Sequence, residues 1–164
     1  SISFYREPLS DTSINDIKEG SVVSWYPNGV KQSEFYYTND LLDGVQREWT
    51  SNDKLISEIN YSNGVLHGLY QKWCDNYQPK EYVYYNNGKP FGDHNLWYED
   101  GRIQLQEGYN EKGNLEGKYL EYYATGYLKT KGKYKDGIKK GSWKYIDENG
   151  KAKREFYRKG KKAF

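Results

Sequence analysis

Asn63-Gly64-Val65-Leu66-His67-Gly68 and Asn87-Gly88-Lys89-Pro90-Phe91-Gly92 are two copies of one pattern set 24 residues apart. Trp73 and Trp97 stand five residues beyond the last glycine of each copy, and Tyr85 and Tyr109 stand seventeen beyond it. Extended in both directions, the pattern places glycines at Gly20, Gly44, Gly68, Gly92, Gly117 and Gly141, with spacings of 24, 24, 24, 25 and 24. The fifth position after each reads Trp25, Trp49, Trp73, Trp97, Tyr122 and finally Ile146. The seventeenth reads Tyr37, Tyr61, Tyr85, Tyr109 and Tyr134, with Tyr157 one place early because the last unit has lost a residue. A period this regular defines a repeat array, and the repeat decides the fold.

Turn dipeptides lie between the aromatic positions. Asn28-Gly29, Asp100-Gly101 and Asn149-Gly150 fall within units; Asn63-Gly64, Asn87-Gly88 and Asp136-Gly137 fall between them. Such pairs tolerate φ > 0 at both centres of a type I′ turn, whose twist matches paired antiparallel strands. The second strand of each unit alternates: Leu55, Ser57, Ile59 and Tyr61 point one way, Ile56, Glu58 and Asn60 the other. Ile103, Leu105 and Tyr109 repeat that phase, as do Leu128, Thr130 and Tyr134. Period two predicts strands.

The expected fold is all-β: a single domain forming an elongated, twisted antiparallel meander of six tandem hairpin repeats over residues 20–160. Residues 1–19, with Ile2, Phe4, Tyr5, Ile14 and Ile17, are expected to cap the first unit, and residues 161–164, ending at Phe164, to form a tail over the last. About twelve strands spaced about 4.8 Å apart give a sheet roughly 55–60 Å long. An isolated hairpin is marginal in water, so neighbouring units must stabilise one another. Only 35% of residues are apolar and mean hydropathy is −1.12, a balance that leans towards disorder, but 18% are aromatic. Rings therefore have to supply the core, each burying roughly 150–250 Å². Trp25, Trp49, Trp73, Trp97 and Tyr122 are expected to form it with Tyr37, Tyr61, Tyr85, Tyr109 and Tyr134.

Net charge is +2, unevenly spread. Residues 129–164 hold 14 Lys/Arg against 4 Asp/Glu, a net of +10, which leaves −8 for the other 128 residues. The chain is an electric dipole, acidic first and basic last. No run of ten apolar residues occurs and no signal peptide opens the chain, so no transmembrane segment is expected. The start at Ser1 without any Met reads as trimmed, by export and cleavage, by loss of an initiator Met, or as a cut piece. An exported and a cytoplasmic location both stay open. Lone Cys74 excludes an intrachain disulfide.

The string Asn-Gly, three residues, Gly, then aromatics resembles the MORN-repeat variant of bacterial proteins, including the YwqK-type antitoxin-like family. It recurs as Lys112-Gly113-Asn114-Leu115-Glu116-Gly117 and Asp136-Gly137-Ile138-Lys139-Lys140-Gly141, and the resemblance covers about residues 20–160. Asp40, Asp53 and Tyr77 stand where the pattern expects glycine. The resemblance implies a binding scaffold without a catalytic residue set.

The residues read the same way. His67 and His94 lie in different units, and a pairing of Cys74 with His94 is weaker than the reading of both as strand fillers; no metal site and no cofactor is expected. With the Trp positions taken as the inner face, the opposite face carries Tyr119, Glu121 and Tyr123 in the fifth unit and Trp143 and Tyr145 in the sixth. Beside them Lys129, Lys131 and Lys133 share one face. Aromatics next to lysines suit an acidic protein or an anionic lipid head group, with nucleic acid disfavoured by scarce arginine. The plainer alternative is that these lysines solubilise the sheet and blunt its edge. A second surface, Tyr26, Tyr36, Tyr70, Tyr82, Tyr84 and Tyr98, also suits a protein partner. The leading expectation is a non-enzymatic protein that binds a partner, as an antitoxin or immunity protein neutralising a toxin. The alternatives are an adaptor subunit of a bacterial envelope complex and a lipid head-group binder.

Overall fold

The computed structural model describes residues 2–3 and 17–163. It holds one antiparallel sheet of sixteen strands and no helix, hence none long and apolar enough to cross a membrane among the described residues. In chain order the strands are β1 (Ile2–Ser3), β2 (Gly20–Trp25), β3 (Lys31–Thr38), β4 (Leu41–Leu42), β5 (Gly44–Trp49) and β6 (Leu55–Ser62). Next come β7 (Val65–Trp73), β8 (Pro79–Asn86), β9 (Lys89–Trp97), β10 (Ile103–Tyr109) and β11 (Gly117–Tyr122). The series ends with β12 (Leu128–Lys135), β13 (Ile138–Lys139), β14 (Gly141–Ile146), β15 (Ala152–Arg158) and β16 (Lys161–Lys162). Each long strand pairs with its chain neighbours, while β4 and β13 are short extensions on β3 and β12. β1 pairs with β2 at the first edge. Of the proposed cap and tail, Phe4, Tyr5, Ile14 and Phe164 lie outside the described residues.

The repeated glycine and tyrosine face each other across every hairpin: Gly20 and Tyr37, Gly44 and Tyr61, Gly68 and Tyr85, Gly92 and Tyr109, Gly117 and Tyr134, Gly141 and Tyr157. Each of these glycines has φ between +70° and +106°, which a Cβ would oppose. The strand kinks there as it passes from one neighbour to the next. In the second unit the kink leaves backbone groups unpaired, and the buried Gln46 amide fills the gap. It accepts from the Tyr36 N–H at 2.8 Å and donates to the Tyr36 and Gly44 carbonyls at 3.2 and 3.1 Å.

The within-unit hairpins contain a bulge that period-two reasoning misses. In the first five, one residue of the second strand is passed over: Gln32, Ile56, Lys80, Gln104 and Lys129. The sixth has no shift, so the residue it lacks is the bulge residue. The bulge moves Leu55, Ile103 and Leu128 opposite Trp49, Trp97 and Tyr122, off the face shared by Ser57, Leu105 and Thr130. Their expected common phase is corrected accordingly.

Residues opposite one another share a face. On that basis the Tyr37 to Tyr134 series and the Trp25 to Tyr122 series lie on opposite sides, not in one core. The buried residues Gln46, Ser57, Val83, Thr130, Gly132 and Trp143 all lie on the tyrosine side, the inner face. With no second layer among the described residues, a single sheet buries one face by curling about it. Trp25, on the outer face, is 42% exposed.

Two turn types alternate, except that the turn before the fifth unit is of the within-unit kind, with Gly113 alone left-handed. Asn39-Asp40, Asn63-Gly64, Asn87-Gly88, Asp136-Gly137 and Lys159-Gly160 have positive φ at both residues, the type I′ geometry. Within units only the last turn residue is left-handed, as at Gly29, Asp53, Tyr77, Gly101, Gly126 and Gly150. The type I′ expectation for Asn28-Gly29, Asp100-Gly101 and Asn149-Gly150 is therefore corrected: these loops are longer and closed by a glycine bulge. Side chains tie each loop to the next: the Tyr26, Tyr98 and Tyr123 hydroxyls donate to the carbonyls of Trp49, Tyr122 and Ile146.

Tyr77 keeps the turn without glycine, at φ +64°. An L-residue there costs about 1–2 kcal/mol, and the Lys54 ammonium 4.8 Å from the ring centre recovers part of it. Tyr77→Gly is expected to raise the unfolding free energy by about 1 kcal/mol in urea titrations. A lower midpoint would show that the ring contact outweighs the strain.

Candidate functional site

The outer face of β11, β12, β14 and β15 concentrates positive charge because Lys118 and Lys144, at odd positions after Gly117 and Gly141, face lysines and an arginine on the paired strands. Lys118 stands opposite Lys133, and Lys131 pairs with Lys144, which pairs with Arg154. Directly opposed like charges destabilise a sheet. Among the described residues none of these five cations forms an ion pair. Lys118, Leu120, Lys131, Lys133, Lys140 and Ser142 line a shallow groove of about 850 Å³ on this side. Its one carboxylate, Glu116, is engaged by the Asp136 N–H at 2.8 Å and by Lys135 at 3.2 Å, and these contacts hold it below the usual carboxylate range.

The residues expected to form one docking row are divided between two faces. Lys131 and Lys133 stand exposed on the outer face. Lys129, the bulge residue, instead bonds Glu121 on the inner side at 2.7 Å, with its ammonium 5.7 Å from the Tyr123 ring centre. Tyr123 is tied to the next loop through its hydroxyl. Tyr119, Trp143 and Tyr145 are on the inner face, and Trp143, expected to be exposed, is 1% accessible. Sequence reasoning missed Lys118, Lys144 and Arg154. Their signal was parity: counted from the glycine opposite each Tyr, Lys118 and Lys144 fall on odd positions, as the Trp series does.

Inside the curl, Trp143 is the hub of a ring cluster. Tyr134 meets it edge-on at 4.9 Å, Tyr119 at 5.5 Å and Tyr145 at 6.1 Å. Gly132 provides the floor: a Cβ there would come within 2.2 Å of the indole. The Lys139 ammonium lies 4.3 Å from the Trp143 ring centre and 5.2 Å from those of Tyr145 and Tyr157, and donates to the Tyr145 hydroxyl at 2.8 Å.

Further along the inner face His94 sits between two carboxylates. Nδ1 is 2.9 Å from Glu107 Oε1, and Nε2 makes a looser charge contact with Glu81 at 3.4 Å. Tyr109 donates to Glu107 at 2.7 Å. Burial alone would push the imidazolium down, but Glu107 and Glu81 outweigh it and raise His94 to about 9. Cys74 is not near this cluster's chemistry; it lies in the loop after β7, where its N–H donates to the Gln78 carbonyl. No group of three or more His, Cys, Asp or Glu among the described residues is placed to hold a metal ion.

Three stretches of the chain match the MORN repeat variant. The matched stretches are residues 18–39, 42–63 and 115–136, which contain the first, second and fifth hairpins. MORN repeats are generally non-catalytic modules. The third, fourth and sixth hairpins share the same glycine-to-tyrosine register. No curated protein matches the chain.

Proposed function

We propose that this chain is a non-catalytic scaffold whose last two MORN-like hairpins hold an acidic protein surface against their outer face. One observation carries the reading: Lys118, Lys131, Lys133, Lys144 and Arg154 lie in cross-strand register, and among the described residues no carboxylate pairs with them. Keeping such a ladder costs stability, and an anionic partner turns that cost into complementarity. Neutralisation of a toxin by masking is the specific form of this reading, because a rigid sheet can cover a protein surface without chemistry of its own.

The test is co-purification of the intact chain with its partner, followed by affinity measurements of the purified pair. Changing Lys131, Lys133 and Lys144 together to Glu should weaken the complex by at least about a hundredfold, and raised salt should weaken the wild type. A partner whose enzymatic activity is silenced stoichiometrically supports the antitoxin form. Retention of the partner by the triple variant, or adhesion of the chain to anionic vesicles in place of a protein, would count against the reading.

A further inference from the structure

The cluster around Lys139 is a feature of one repeat only. At the position of Lys139 earlier units carry Lys18, Leu42, Leu66, Pro90 and Leu115; Lys18 lies over the inner Tyr37 ring at 5.0 Å, and the other four are apolar plugs beside the inner tyrosine. At the position of Trp143 they carry Val22, Gln46, Tyr70, His94 and Tyr119, and at that of Tyr145 they carry Ser24, Glu48, Lys72, Leu96 and Glu121. Lys18 has Val22 and Ser24 at the other two positions, so the sixth unit alone combines a cation here with aromatics at both. Three ring faces then converge on one ammonium at 4.3, 5.2 and 5.2 Å.

We propose that Trp143, Tyr145 and Tyr157 form a recognition cage for quaternary ammonium compounds of the choline class, with Lys139 as its internal, displaceable occupant. Aromatic faces attract any cation, but the gain depends on what the cation loses in water. A primary ammonium is strongly hydrated, so Lys139 can leave at small cost on its flexible four-carbon stem. A trimethylammonium group is weakly hydrated and fills the space between rings with apolar methyls. Glu155, opposite Trp143 in the β14–β15 register, holds the Tyr157 wall of the cage in place through its hydroxyl. It accepts from Lys153 and Lys162 at 2.8 Å and from the Tyr157 hydroxyl at 2.7 Å, contacts that hold it ionised with a pKa of about 2. The Trp143 indole N–H has no acceptor among the described residues, which makes its proton a sensitive reporter of the cage. This site lies on the inner face and does not depend on the outer-face reading.

The experiment titrates the full chain with choline chloride while following the Trp143 indole proton by NMR. The control ligand is 3,3-dimethyl-1-butanol, the uncharged isostere of choline. Wild type should show weak saturable binding of choline. Lys139→Ala, which empties the cage, should bind about tenfold more tightly, because the competent state no longer has to be populated by displacement. The isostere should bind neither protein. Equal binding of choline and the isostere, or no choline shift in a folded Lys139→Ala, would overturn the proposal. Should that variant unfold, the wild-type titration decides alone, and an unmoved indole signal sinks the idea. Flotation with phosphatidylcholine vesicles separates a lipid head group from free ligand; binding to the vesicles or to free choline alone each supports the cage and assigns its source.

Discussion

Gly132→Ala is expected to lower the unfolding free energy by about 3 kcal/mol, the upper end of overpacking penalties. The new Cβ would lie 2.2 Å from two atoms of the Trp143 indole, so the ring has to move. Trp143 cannot move freely, since Tyr119, Tyr134, Tyr145 and Tyr157 surround it. Gly132 is not among the left-handed glycines, so the penalty is steric and separable from backbone strain. Gly20→Ala, at φ +80° with open space beside it, should cost only about 1 kcal/mol. Urea midpoints for the two variants check the contrast; similar small losses would mean that Trp143 is not locked in its cluster.

Alkaline pH should weaken the fold through His94. Its folded pKa of about 9 lies above the unfolded value of 6.5, so the stability it contributes is fully present below pH 6.5. That contribution is lost as pH rises through about 9, and its ceiling is about 3 kcal/mol. Glu81 and Glu107 are shifted the other way. The His94 imidazolium lowers Glu81, and for Glu107 it overcomes a desolvation cost with help from Tyr109. Their contribution is present above pH 4.5 and lost as pH falls through their lowered values. Stability should therefore peak at mildly acidic pH. His94→Gln should flatten the alkaline arm and lose roughly 3 kcal/mol at pH 6, because two half-buried carboxylates are left without a cation. Unfolding free energies that stay level between pH 6 and pH 9.5 in the wild type would refute this account.

The hairpin repeat and the all-β class were legible because glycine and tyrosine mark geometry directly. Each glycine sits where a left-handed kink faces a tyrosine, and no other residue serves there as cheaply. Which face was inner was harder to read. Trp25, Trp49, Trp73 and Trp97 look like core residues by size, but an odd step from the glycine puts them opposite the tyrosines. The bulge residues Gln32, Ile56, Lys80, Gln104 and Lys129 break period two at the end of the strand where the pattern had been read. Trp143 was misplaced because the Trp series was taken as the inner face: its even step from Gly141 puts it on the tyrosine side. The Lys131–Lys144–Arg154 ladder was missed because parity marks the face of Lys144, while its partners depend on pairing between strands. Lys129 misled further, since a lysine on a bulge turns to the face opposite its alternating neighbours.

The topology also has a mechanical side. Every long strand bonds only to the strands before and after it in the chain, so the two ends of the chain lie at the two ends of the sheet. Tension applied to those ends would open hydrogen bonds pair by pair, like a zipper, instead of shearing many at once. Each released unit of 24 residues adds roughly 80 Å of extended chain. Pulled between two attachments, the molecule would yield in steps at low force, lengthening while its remaining hairpins stay folded.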